Sequence, residues 1–138
     1  MVQYCPECGS LQVNGLSCFE QLGQVLAWES QDVDLWDVHF LTVASYNLQH
    51  PSQFTDEAIA GLKASFTDYL DGKTTIEQIL QKIRAAYNGS QRVKKAEDQR
   101  VVQPRSWSIT ISDVYIPDQP HGAAERVKTW ADTIKQEW

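Results

Sequence analysis

Residues able to do chemistry crowd the start of the chain. Cys5 and Cys8 stand in "CPECG", and Cys18, the third and last cysteine of the 138 residues, opens "CFEQLGQVLAW". C-P-E-C-G has the form of a zinc knuckle, in which a tight turn aims two thiolates at one point and Gly9 takes the backbone angles that let amides approach the sulfurs. A structural zinc site needs four ligands in a tetrahedron. Cys18 is the third if it opens a helix, because the positive end of the helix dipole favours its thiolate. The fourth comes from one of the three histidines, His39, His50 or His121, or is a water.

Two other readings of the cysteines compete. Cys-Pro-x-Cys also serves as the redox pair of thioredoxin-like proteins, where it follows a strand and opens a helix; only four residues precede Cys5 here. Alternatively the three thiols have no joint role. Metal binding, with zinc as the expected ion, ranks first, because Cys-x-x-Cys followed by further Cys and His is a moderately specific pattern.

Helical elements must position these groups. Ser17 and Glu20 form a capping box that starts a first helix at Cys18, with Phe19, Leu22, Val25 and Leu26 on its apolar face and an end near Glu29. "DLWDVHFLTVASYNLQHP" predicts a second helix, capped by Asp34 and stopped at Pro51. Its many apolar residues, Leu35, Trp36 and Phe40 among them, make it the expected central, most buried helix. A third helix fits Thr55 to Leu70, with Gly72 past its end, and a fourth fits "TTIEQILQKIRAAYNG", capped by Thr74 with Glu77 and closed by Asn88-Gly89. "SWSITISDVYI" reads as a short strand or, if Ser-Asp caps it, a helical turn. A last helix begins near Pro120 with the stripe Ala124, Val127, Trp130, Ala131, Ile134 and Trp138.

Antiparallel packing of the first two helices separates His50 from His39. A short connection near Asp32 sets Cys18 level with about Tyr46, which puts His50 beside the knuckle. His39 lies about 16 Å away at about 1.5 Å per residue. The expected ligands are therefore Cys5, Cys8, Cys18 and His50, with His121 as the alternative if docking of the last helix brings it close. His39, Tyr46, Gln49 and His121 are candidate pocket residues, with Thr42 beside them and the His39 imidazole as a proton carrier. A buried histidine bonded for structure is the plainer reading; Asp37 and Glu29 are the carboxylates nearest to it in sequence or across the helix pair.

Composition bounds the function. The net charge is −6, and 42% of residues are hydrophobic without a run approaching the roughly 20 residues of a membrane span. No secretory signal is visible, so the expected compartment is the cytoplasm. Residues 1–80 carry eleven acids against Lys63 and Lys73, whereas residues 81–138 carry ten bases against seven acids. Most of that basic excess falls between Lys82 and Arg105. Glu97 and Asp98 interrupt it and only Tyr87 and Trp107 offer stacking, so a solvated loop is preferred over a nucleic-acid surface.

"CPECG", a cysteine opening a helix, "HFLTVASYNLQHP", "TISDVY" and a closing "VKTWADTIKQEW" together resemble an uncharacterised bacterial family of unknown function with the pattern C-P-x-C-G, C, H-x-L-T-V-x-x-Y-x-x-Q-H-P and a Trp-rich last helix. The resemblance spans most of the chain and implies that Cys5, Cys8, Cys18, His39, Tyr46, Gln49, His50, Pro51, His121, Trp130 and Trp138 matter jointly. It brings no activity with it. From Ser90 to Arg105 the chain departs from the pattern in being basic.

The expected fold is mainly α: a single-domain bundle of about five helices, comprising a zinc knuckle (1–17), a helical core (18–89), a basic connecting loop (90–117) and a C-terminal helix (118–138). Function ranks as a small binding or scaffolding protein with structural zinc, acting on a small molecule or a protein. A metal-dependent enzyme with an open zinc position and His39 or His50 as general base comes second. A nucleic-acid-binding zinc module comes last, opposed by the acidic charge.

Overall fold

Helices begin where a side-chain acceptor meets the unpaired amides of a first turn, and this chain supplies such acceptors repeatedly. The computed structural model describes residues 4–88 and 94–137. Its helices are α1 (Cys18–Trp28), α2 (Val33–Asp37), α3 (His39–Leu48), α4 (Asp56–Leu70), α5 (Ile76–Asn88), α6 (Ile111–Val114) and α7 (Ala123–Glu137), with 3-10 turns at Glu29–Gln31, Pro51–Gln53 and Glu97–Gln99. The described residues hold isolated β-bridges and no strand, so the fold is mainly α as expected. No helix is long and apolar enough to cross a membrane. Gly89, Trp138 and the part of the basic segment at 89–93 lie outside the described residues.

Capping decides most boundaries. Ser17 Oγ accepts from the Glu20 amide at 3.2 Å while Glu20 Oε1 accepts from the Ser17 amide at 3.1 Å, the box expected at α1. Thr55 caps α4 through the Ala58 amide, and Gly72 follows the helix at φ +73°. The cap of α5 is Thr75 with Gln78, each accepting the other's amide at 3.2 Å, rather than the expected Thr74 with Glu77. Both pairs match S/T-x-x-E/Q; the one used carries the buried Ile79 one residue later.

One expectation is corrected, and one open reading is decided. The predicted second helix is two helices, α2 and α3, broken at Val38 (φ −105°, ψ 18°). Asp32 caps α2 through the Leu35 amide at 3.1 Å, in place of Asp34. The break sends Leu35 and Val38 inward and leaves Trp36, expected in the core, 59% exposed; Phe19 is likewise out, at 69%. Of the strand and the helical turn left open in "SWSITISDVYI", the helical turn forms: the Asp113 carboxylate accepts from the Thr110 amide at 2.9 Å and the Tyr115 amide closes onto Ile111, giving α6. That local carboxylate overrides the β-branched composition.

The chain divides into two compact units, residues 1–49 with 102–138, and residues 50–101. In the first, α3 packs on α7, α1 on α6, and both α2 and α6 on α7. Val25, Leu35, Ile111, Val127, Trp130 and Ile134 are fully buried there. α1 and α3 run antiparallel side by side: Cys18 meets Tyr46 at one end and Glu29 meets His39 at the other. In the second unit, α4 and α5 form a hairpin, and the returning segment is held by the Lys95 amide on the Gln53 carbonyl at 2.9 Å. Phe66 and Ile79 are its buried apolar side chains among the described residues.

Gln49, just past α3, locks three parts of the first unit together. Its Nε2 donates to the Ile109 carbonyl at 2.8 Å and its Oε1 accepts from Trp130 Nε1 at 3.2 Å. Gln49 and Trp130 are buried and Ile109 half-buried, so Gln49→Leu, close in volume, strands an indole N–H and a partly buried carbonyl. The expected loss is about 2–4 kcal/mol of stability in urea unfolding, from one to a few kcal/mol for each unpaired buried group. At α5, Thr75→Ala should cost about 1 kcal/mol and Thr74→Ala clearly less, the difference between a cap and its neighbour; equal losses would contradict the observed capping register.

Candidate metal centre

The segment before α1 is shaped by turns rather than by a core. The Cys5 amide donates to the Ser10 carbonyl and the Gly9 amide to the Cys5 carbonyl, both at 2.9 Å, with Gly9 at φ +77°. A residue with a side chain is strained in that left-handed conformation, which explains glycine after Cys8. The Ser10 amide then donates to Cys8 Sγ at 3.4 Å, the amide-to-sulfur approach that the knuckle form implies. Asn14 and Gly15, both at positive φ, make a two-residue turn closed by paired Val13 and Leu16 bonds. This turn leads the chain back so that Cys18 enters α1 beside the first two thiols. The buried Gln21 amide fastens the loop from below, donating to the Leu11 and Leu16 carbonyls at 2.8 and 3.0 Å. Its role was invisible in the sequence, where a glutamine on a helix reads as solvated.

The sulfurs of Cys5, Cys8 and Cys18 and a ring nitrogen of His50 all lie within 4.8 Å of one another, and this cluster can hold a metal ion. Zinc bonds of about 2.0–2.3 Å imply ligand–ligand edges of about 3.4–3.8 Å in a tetrahedron, so the four atoms are gathered close to that spacing. Cys8 and His50 are buried and Cys5 and Cys18 half-buried; none of the thiols is in a disulfide. Without a cation the site resists ionisation: the Cys8 thiol is pushed far up by its hydrogen bond with Cys18 and by burial, against the pull of the Ser10 amide. A divalent cation reverses that balance, since ligation deprotonates a thiol outright.

Tyr46 completes the surroundings. Its hydroxyl lies 3.7 Å from Cys18 Sγ, and burial, then the charge and hydrogen bond of Cys18, push its ionisation well above the ordinary phenol range. The phenol therefore keeps its proton and can donate it in a hydrogen bond to a thiolate.

The remaining candidates are placed apart. His39 Nδ1 sits 2.8 Å from both carboxylate oxygens of Glu29, whose side chain is 6% exposed against 44% for the imidazole. Trp36 lies beside the ring, with centroids 5.2 Å apart. Gln49 is engaged with Ile109 and Trp130. His121 is exposed and outside the cluster, and its carbonyl accepts from Arg126, which also binds the Val114 and Gln119 carbonyls. The four candidate pocket residues thus have separate partners. The basic segment is largely solvated: residues 100–106 are exposed, with Arg105 lying over the Trp107 ring at 4.1 Å.

No curated protein and no solved structure matches the chain. A family model does match it, over residues 3–138, and on that match this chain belongs to the Family of unknown function (DUF5946).

Proposed function

We propose that Cys5, Cys8, Cys18 and His50 hold one structural zinc ion, in a protein whose role is binding or scaffolding rather than catalysis at the metal. The observation that carries this reading is the completeness of the cluster: four protein donors within 4.8 Å fill a tetrahedral shell and leave no position for a reactive water. Three thiolates and an imidazole suit zinc among common divalent ions. Thiols outside any disulfide suit a reducing compartment such as the cytoplasm.

The loop at residues 4–17 gives the ion its task. Cys8 is the one buried hydrophobic side chain in that stretch, while Tyr4 and Leu11 are exposed, so burial contributes little to ordering it. Zinc would fasten the loop to the first turn of α1 and to the residue after Gln49. The enzyme alternative gains no comparable support: His50 is within the cluster, and His39 is held by Glu29.

Protein purified without chelator should carry about one zinc per chain by elemental analysis; freshly reduced protein that neither contains zinc nor takes it up would refute the reading. His50→Ala should weaken retention against a chelator and speed amide exchange in residues 4–17, while the helices keep their circular dichroism signal. His39→Ala should leave zinc bound. Tyr46→Phe removes the donor beside Cys18 and should weaken zinc affinity by about tenfold, at the low end of what outer-shell partners contribute.

A further inference from the structure

The 50–101 unit leaves an apolar stripe uncovered. On α5, Ile76, Ile79, Leu80 and Ile83 recur at the spacing of one helix face, yet only Ile79 is buried; Leu80 and Ile83 are 46% and 42% exposed. The side of α5 toward the groove it shares with α4 is polar instead. That groove, of about 460 Å³, is lined by Gln78, Gln81, Lys82 and Ala85 of α5 together with Asp68 of α4. At 100° per residue these positions lie on the opposite side of the helix from Leu80 and Ile83. A hairpin this thin, with Phe66 and Ile79 as its buried apolar side chains among the described residues, gains stability from covering that stripe.

We propose that a second copy of this chain covers it, through an antiparallel, two-fold pairing of α5 with α5 that sets Leu80 of one copy on Ile83 of the other. Three observations favour the same chain as occupant. The apolar positions Ile76, Leu80, Ile83 and, in the sequence, Tyr87 have spacings that read the same from either end, as an isologous contact requires. That pairing also brings Glu77 of each copy near Arg84 of the other, opposite charges on the same flank of the stripe, both exposed. Finally, residues 50–101 carry seven acids against eight bases, whereas the rest of the chain carries eleven against four. Like-charge repulsion between copies is therefore smallest here.

The contact is modest. α5 is about 20 Å long, and one face of it covers roughly half of the ~800 Å² per partner that a standard interface buries, so dimerisation is weak and concentration-dependent. Sedimentation equilibrium of the full chain with zinc bound, from about 5 to about 500 μM, should show the mean mass rise from monomer toward dimer. Leu80→Glu with Ile83→Glu should raise the dissociation constant at least about tenfold, with the circular dichroism signal and zinc content unchanged because both side chains are exposed. Leu80→Gln alone should give a smaller increase. Arg84→Glu should also weaken the dimer, and Glu77→Lys combined with Arg84→Glu should restore it, which a merely apolar association would not do. A monomer throughout the range overturns the proposal, as does a dimer indifferent to the double glutamate variant.

Discussion

One buried amide side chain sets the geometry of the N-terminal end of the molecule. Gln49 is 1% exposed and uses both ends of its carboxamide, one on a backbone carbonyl and one on the indole of Trp130, itself fully buried. The bond to the indole is buried and the one to the carbonyl partly so, and the two together tie the end of α3 to α7. Tyr46 stands one turn before Gln49 and His50 is peptide-bonded to it. The phenol and the imidazole are thereby brought to the knuckle by a lock made in the core, and the cluster does not have to organise its own supports.

The two units differ in where their order comes from. In the first, α7 offers Val127, Trp130, Ala131 and Ile134 on one face, all with no exposed surface, and α2, α3 and α6 each pack on it. Burial on that scale tolerates a segment such as residues 4–17, which adds almost no apolar area of its own. The α4–α5 hairpin lacks any such surplus. Its caps at Thr55 and Thr75 carry a larger share of its stability than caps do in a well-buried helix.

Much of this was legible in the sequence, because short-range chemistry specified it. Ser17 with Glu20 depends on residues three apart. A short connection near Asp32 predicted an antiparallel run and the meeting of Cys18 with Tyr46; the connection to α3 is longer, with α2 inside it, yet Cys18 still meets Tyr46. The failures share a cause: two local solutions fitted and burial chose between them. Thr74 and Thr75 each begin a capping box, and Asp32 and Asp34 can each cap a helix. Neither glycine nor proline marks the break at Val38; it shows only when Leu35 and Val38 are both required inside, and Trp36 pays with exposure. In "SWSITISDVYI" the strand-forming residues left two readings open, and the aspartate three residues after Thr110 decides for the helical turn. Glu29 was visible as a neighbour of His39, but its burial under the imidazole belongs to tertiary structure.

The order of the cluster's residues along the chain has a consequence for its birth on the ribosome. The three thiols are all made by position 18, and the imidazole follows at position 50. At about 5–20 residues per second, the cysteines exist for about 2–6 s before their fourth partner has been synthesised. During that interval they lack both the imidazole and the Gln49 lock. The four donors of a cluster that can hold a metal ion thus come together only after residue 50 has been made and the chain has folded back onto its first eighteen residues.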